Sequence, residues 1–403
     1  MVVGHTYIYV TPFFPSPTNW RGAYCLDFVK ALRKARPQMR VEVFVPGVGN
    51  DYEIEGIHVH RFEVRQLPSN ILPLMFRRHN ENSFLRAVSN AGISVEDVLV
   101  CHGNTANFAI YPLALKRLNH QIKSLLHHHD LASFGLNNGV LHRCSLYNVF
   151  LFRQLRRLHE GIGCHVFISE ASRRSFLAAP DASWTVYADY KTQMRGPKLF
   201  GCRPARINES VVLHNGVDVG LFTLAEHAER GRDEFIIGCV GNFEELKDQI
   251  TLLKAIDILN RTEHVETRIK VIFVGSGEMM AWCKHFATES GIEAEFRQEV
   301  RHEDLPKFYH EIDLFVLPSY FEGFGCVYTE AWACGVPFVA CKGQGIQDLI
   351  APADRDKWLC RPHDANDLAC KISAYMKNKW RQKLTGLTGI DTLVERYCRQ
   401  LGI

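Results

Sequence analysis

The sequence lacks the features that mark several protein classes. No apolar run approaches the roughly 18–20 residues of a membrane span. There is no short repeat and no low-complexity tract. With 46% hydrophobic and 23% charged residues the chain is neither disordered nor collagen-like. Its 13 cysteines are odd in number, scattered, and never spaced as C-x-x-C. That excludes a disulfide miniprotein and leaves zinc without a ligand spacing. Cysteines in apolar company, such as Cys239, Cys334 and Cys370, read as reduced core residues of a cytosolic protein. The opening MVVGHTYIYVTPFF has no basic stretch ahead of its apolar residues, so it reads as a strand entering a loop rather than as a signal peptide.

The chain also lacks an excess of either charge: 47 Lys and Arg stand against 44 Asp and Glu, a net +3. The balance conceals an asymmetry. Residues 1–212 hold 25 basic and 15 acidic residues, a net +10, whereas residues 213–403 hold 22 and 29, a net −7. The first half is therefore expected to meet something anionic.

At 403 residues the chain is long enough for two domains of about 150–200 residues each. Short β-branched runs alternate with helical stretches. Strands are expected at Thr6–Val10, Val41–Val45, Val98–Cys101, Ile122–His127 and His165–Ser169, with helices near Tyr24–Ala35, Asn107–Leu118, Tyr147–His159 and Glu170–Leu177. After Asn215-Gly216 the pattern restarts, with strands at Phe235–Val240, Ile269–Val274, Leu314–Leu317 and Val336–Ala340 and helices at Leu246–Asn260, Met279–Glu289 and Val327–Ala333. Such alternation predicts α/β architecture with parallel sheets covered on both faces, built twice.

The segment Leu317–Asp348 carries most of the functional signal. A strand ends at Leu317, the turn Glu322-Gly323-Phe324-Gly325 feeds a helix, and Glu330 lies eight positions beyond Glu322. The turn presents backbone N–H groups at a positive helix end, which suits a phosphate or polyhydroxyl group. Eight positions is about two helical turns, so both carboxylates can face one crevice. With no cation beside them in the sequence, they suit accepting hydrogen bonds from sugar and ribose hydroxyls.

E-G-F-G-x4-E followed by A-x-x-x-G-x-P resembles the E-x7-E signature of the family-4 retaining glycosyltransferases, also described as glycosyl transferases group 1. VLHNGVD (Val212–Asp218), VGNFEELKD (Val240–Asp248), FVGSGE (Phe273–Glu278) and RPHDANDLA (Arg361–Ala369) resemble further motifs of that family. The resemblance is tightest over residues 211–375 and loose before them. It implies the GT-B fold, two facing Rossmann-like domains with a donor cleft between them. The domains expected are residues 1–212 on the acceptor side, residues 213–378 for the nucleotide sugar, and a C-terminal helix in 379–403 packing back on the first domain.

The resemblance also implies roles. Glu330 would hold the donor ribose, and Glu322 would lie at the donor sugar, with Gly323, Phe324 and Gly325 offering backbone donors. The family's Arg and Lys, five positions apart, neutralise the donor diphosphate. Here those positions are Asn242, next to Gly241, and Lys247. Asn242 departs from the pattern, since an amide donates hydrogen bonds but carries no charge. In the first domain the small-residue loop near the distal phosphate corresponds to Asn19–Ala23, with Gly22 and with Arg21 as a candidate replacement cation. His102 and His129-Asp130 follow expected strand ends, and His129 is the candidate functional histidine. In His127-His128-His129, strand alternation puts His127 and His129 on one face; no metal site is expected there.

The implied reaction is retaining, metal-independent, hexosyltransferase-like transfer from a UDP- or GDP-linked sugar to an acceptor hydroxyl, with no cofactor. A glycan or lipid-linked acceptor is expected, and nucleic acid is not. The location implied is cytoplasmic, with possible peripheral contact to an anionic membrane through Phe150–Glu160 and Tyr190–Arg206. A hydrolysing nucleotide-sugar epimerase and a non-catalytic nucleotide-sugar-binding protein remain as alternatives.

Overall fold

The computed structural model describes residues 5–16, 22–67, 74–129, 145–178, 200–203, 205–224, 234–262, 268–386 and 389–403. Two units divide the chain: residues 1–215 with 390–403, and residues 216–389. The divisions fall later than the expected 212/213 and 378/379.

In the first unit eight strands form one sheet: β1 (Thr6–Val10), β2 (Arg40–Pro46), β3 (Tyr52–Ile54), β4 (Ile57–Phe62), β5 (Val98–Asn104), β6 (Lys123–His128), β7 (Cys164–Phe167) and β8 (Glu209–Val212). Their order is β3-β4-β2-β1-β5-β6-β7-β8. All pairings are parallel except the β3–β4 hairpin. The central strands are buried on both faces, so TYIYV reads as a nearly continuous apolar run, whereas VEVFV is interrupted by Glu42, which is buried and paired with Arg40 (2.6 Å) and His60 (2.8 Å). Helix Ala23–Ala35 buries Cys25, Leu26, Phe28, Val29, Ala31 and Leu32 at helical spacing. Helix Ile390–Leu401 packs against it, burying Leu393, Val394, Tyr397, Cys398 and Leu401. Each buried Leu, Val or Phe among them contributes about 1.5–3 kcal/mol of apolar burial. Arg36–Glu395 (3.0 Å) and the Tyr7–Tyr397 hydroxyl pair (3.0 Å) fix the register.

The second unit has strands β9 (Glu234–Val240), β10 (Arg268–Val274), β11 (Ala294–Arg297), β12 (Leu314–Val316), β13 (Phe338–Cys341) and β14 (Leu359–Cys360). The order β11-β10-β9-β12-β13-β14, parallel throughout, is the doubly wound order with its reversal between β9 and β12. Helices Gln249–Thr262, Met280–Glu289, Leu305–Tyr309, Cys326–Ala333 and Arg355–Trp358 lie in the successive crossovers, and Ala365–Asn378 follows the last strand.

The expected strands and helices are present, with ends shifted by a few residues. The sequence reading missed β3, β4, β8, β11 and β14 and the helix Arg77–Asn90. It also misjudged Cys370, which is exposed, whereas Cys239 and Cys334 are buried. No helix among the described residues is long and apolar enough to cross a membrane.

Candidate functional site

In an open parallel sheet, ligands bind beyond the carboxyl ends of the strands where the strand order reverses. In the second unit that point lies between β9 and β12. The loop leaving β9 carries Gly241, Asn242 and Lys247, and the loop leaving β12 carries Glu322 through Gly325.

The β9 loop is anchored on the β10 loop. The Gly241 N–H donates to the Val274 carbonyl (3.0 Å) and the Phe243 N–H to that of Ser276 (2.7 Å). The approach explains the G-x-G of FVGSGE: a Cβ on Gly275 would lie 2.2 Å from the Gly241 carbonyl oxygen. On the other side, the Ser319 hydroxyl (3.1 Å) and the Tyr320 N–H (3.1 Å) both donate to the Leu246 carbonyl. The loops of β9 and β12 are thereby tied together.

Across that tie Lys247 forms an ion pair with Glu322. This corrects the expectation that the glutamates have no cation nearby: the cation comes from the adjacent strand's loop, 75 positions away. Both side chains are mostly buried. Burial alone would lower the Lys247 ammonium, but the Glu322 carboxylate outweighs it and the net shift is upward, so Lys247 stays charged. Asn242 donates its amide to Glu244 (3.2 Å), and Gln249 donates to the Asn242 carbonyl (2.8 Å).

The turn bearing Glu322 is braced from β13. The Glu322 N–H donates to the Gln344 side-chain oxygen (2.7 Å), and the Gly345 N–H donates to the Glu322 carbonyl (3.2 Å). A Cβ on Gly345 would sit 1.9 Å from the Gly323 carbonyl oxygen, so no other residue fits there without moving the turn. Gly325, in the left-handed region at φ 84°, starts helix Cys326–Ala333, and Phe324 is buried beneath it. Glu330, on that helix, is only 6% exposed, with Tyr309 donating to one carboxylate oxygen (2.9 Å) and His302 Nε2 meeting the other (3.2 Å).

Sequence reasoning missed His302, Tyr309 and Gln344. The first two lie 28 and 21 positions before Glu330, and no local pattern links them to it. Gln344 stands inside the Gly-rich turn but has no distinctive spacing. Asp248, in the left-handed region at φ 52°, was also missed; it pairs with His363 (2.9 Å), whose ring lies 4.2 Å from that of Tyr320.

In the first unit the order reverses between β1 and β5. There Asn104, at the end of β5, donates to the Thr11 hydroxyl (2.9 Å) and the Cys25 sulfur (3.3 Å). His129, just past β6, donates Nε2–H to the Asn104 oxygen, which leaves its Nδ1 with the lone pair. Burial pulls His129 down to about 3, so it is a neutral imidazole. Its ring lies 4.0 Å from that of His127 and 5.0 Å from that of Tyr24. His128 points the other way, onto Phe167 and Phe176, as strand alternation requires. Gly22, at φ 89°, starts helix Ala23–Ala35.

His102 is a correction. It lies inside β5 rather than beyond a strand end, is fully buried, and bonds Tyr7 through Nδ1 (2.7 Å). It is a core histidine held down to about 3 by burial and, secondarily, by His129. Arg21, Asp130 and most of Tyr190–Arg206 lie outside the described residues.

Residues 224–386 match the family model described as glycosyl transferases group 1. The second unit is a glycosyl transferases group 1 domain. The curated relatives include D-inositol 3-phosphate glycosyltransferase 1 of Catenulispora acidiphila, 34% identical over 38% of this chain and 39% of that protein. Another is the D-inositol 3-phosphate glycosyltransferase of Mycobacterium bovis, 35% identical over 37% of this chain and 32% of that protein. The match spans well under half the length of these relatives. Among solved structures, sucrose-phosphate synthase from Thermosynechococcus elongatus aligns with a TM-score of 0.66 at 18% identity, covering 98% of this chain and 95% of that one. Anabaena HepE in complex with UDP and glucose gives 0.61 at 16%, covering 98% and 94%. The fold is GT-B.

Proposed function

We propose that this group 1 chain transfers a sugar from a nucleotide diphosphate sugar to an acceptor hydroxyl. The observation that carries the reading is the Lys247–Glu322 ion pair at the β9/β12 reversal, with Glu330 on the helix that starts at Gly325. Lys247 and the Asn242 amide would meet the donor diphosphate, and the start of helix Cys326–Ala333 adds its positive end. Glu330 would accept from the ribose hydroxyls. Glu322, released from Lys247 as phosphate takes over that charge, would accept from the donor sugar.

The leaving group is a diphosphate, so the largest demand on the protein is stabilising negative charge as the glycosidic bond breaks. Lys247 and backbone donors meet that demand without a metal, and the transfer is read as retaining and metal-independent. The HepE complexes with UDP and with UDP-glucose favour a UDP-linked donor over a GDP-linked one. For the acceptor, the relatives named for D-inositol 3-phosphate point to an anionic polyol, and the basic first half fits that charge as well as it fits a lipid-linked or polysaccharide acceptor.

The test is turnover of UDP- and GDP-sugars against a panel of inositol phosphates, lipid-linked glycans and soluble sugars, with and without EDTA. Transfer that survives EDTA and keeps the donor's anomeric configuration supports the reading. Activity abolished by EDTA and restored by Mg²⁺ or Mn²⁺ overturns the metal-independent site, and free sugar release without any acceptor points to a hydrolysing epimerase.

A second reading concerns membrane contact. On helix Ser145–Gly161, Leu146 (64% exposed) and Phe150 (49%) share a face with the exposed Arg153 and Arg157. Exposed apolar groups interleaved with arginines suit reversible docking on an anionic lipid surface at the cytoplasmic face.

A further inference from the structure

Glu330 is buried, and its carboxylate is not held by its own helix. Tyr309 and His302 belong to the segment between β11 and β12, Tyr309 at the end of helix Leu305–Tyr309 and His302 at the start of the preceding 3-10 turn. Phe222, itself buried, packs on both rings, 5.2 Å from His302 and 6.0 Å from Tyr309. Tyr309 is further clamped by Phe308 and Phe315. Burial first, and the Glu330 charge second, raise the Tyr309 hydroxyl well above its ordinary range, so it remains a donor at every practical pH.

An ionised carboxylate has about four lone-pair sites. Tyr309 takes one on Oε2 and His302 one on Oε1. That leaves one site on each oxygen, the number a vicinal diol needs. With one oxygen held by a buried hydroxyl and the other by a half-exposed ring, the plane of the carboxylate is fixed before any ligand arrives. Preorganisation of this kind improves affinity by removing an ordering cost at the moment of binding.

We infer that Tyr309 and His302 are positioning residues that aim Glu330 at the donor ribose and thereby set the preference for ribose over deoxyribose. The inference rests on the donor-binding reading above. It predicts that Tyr309→Phe, which removes one hydroxyl and keeps the ring, weakens nucleotide binding about tenfold, the effect of losing one hydrogen bond to a charged group. His302→Ala weakens it less, because that bond is longer and partly exposed, and His302→Gln, which keeps a donor, restores it.

The experiment is calorimetric titration of UDP, GDP, dUDP and dGDP into the full chain, as wild type, Tyr309→Phe, His302→Ala and His302→Gln. The expected wild type binds a ribonucleotide several-fold more tightly than its 2′-deoxy counterpart. That ratio shrinks towards one in Tyr309→Phe and His302→Ala and recovers in His302→Gln. In a sugar-transfer assay the same variants raise donor KM with kcat little changed. A wild-type ratio that persists unchanged in Tyr309→Phe and His302→Ala overturns the positioning role while leaving the donor site intact. A wild type that binds none of the four nucleotides overturns the donor reading itself. If Tyr309→Phe does not fold, the half-exposed His302 pair decides alone.

Discussion

The two units are built on the same parallel-sheet logic but bury different chemistry. All the buried histidines among the described residues, His102, His127, His128, His159 and His165, lie in the first unit. In the second, the polar groups at the strand-order reversal are a lysine and two glutamates, each with a named partner. The first unit's histidine cluster stays neutral because protonation is costly, while its buried glutamates, Glu42 and Glu81, are paired with Arg40 and with Arg77 and Arg117. The second pairs a lysine with one glutamate and hydrogen-bonds the other at the strand-order reversal, which is what a site for a charged, hydroxyl-rich ligand requires. A cluster of titratable residues therefore does not mark a site by itself; its place at the end of the sheet where ligands bind does.

The widest gap between the units should appear on acidification. Burial holds His102 and His159 down to about 3 and His165 to about 4, and drives His127 and His128 well below the ordinary value. Above the unfolded value of about 6.5, folded and unfolded chains are both neutral at these sites and stability is full. Below it the unfolded chain takes up protons that the folded one refuses, so stability falls from pH 6.5 towards pH 3–4. By pH 5 each such histidine costs about 2 kcal/mol, and together several. Thermal melts between pH 7.5 and 5, read by hydrogen exchange, should show the first unit opening first. Equal loss of protection in both units would break the contrast.

Next in size is the charge pair. Glu322→Ala should cut turnover by about 10²–10³-fold, and Lys247→Ala should cost about 3–4 kcal/mol in kcat/KM. Because the two touch, the double variant should lose much less than the sum. Full additivity in steady-state kinetics would mean that the pair does not act as a unit. Asn242→Arg should leave donor affinity equal or tighter, since it restores a second cation.

Gly345→Ala is expected to cost about 1–3 kcal/mol of stability, as overpacking does, and to displace the turn that carries Glu322. Gly343→Ala, with nothing within 4 Å but φ at +82°, should cost only the backbone strain and leave donor KM unchanged. Similar KM values for the two variants would remove Gly345 from the account.

The smallest effect concerns the first unit's exposed stripe. Cosedimentation with anionic vesicles should weaken in Arg153→Ala and Arg157→Ala, each by up to about 1 kcal/mol, and fade with salt. Equal recovery in the supernatant with neutral and anionic lipid at low and high salt would dismiss membrane docking.

How much of this was legible in the sequence also differs between the units. In the second, a strand, a Gly-punctuated turn and a helix lie within one short segment, so local spacing placed Glu322 and Glu330 correctly on turn and helix. What spacing could not show was the environment. The cation for Glu322 arrives from the neighbouring strand's loop, and the partners of Glu330 come from the preceding crossover. In the first unit, His102 and His129 look alike in sequence, each near a strand end. Three further residues of strand separate them in kind: β5 runs on to Asn104 and encloses His102, whereas β6 stops at His128 and leaves His129 at its edge. Short elements such as β3, β11 and β14 escaped because few residues carry their pattern, and pairing with neighbours decides them.

The central claim is that the second unit's strand-order reversal holds a nucleoside diphosphate through Lys247. Equilibrium titration of UDP and GDP into the full chain, wild type and Lys247→Ala, tests it most directly. The account predicts that the wild type binds at least one of the two, without added metal, and that Lys247→Ala binds it about 100-fold or more weakly. Equal affinity in the two proteins, or no binding by the wild type, would contradict it.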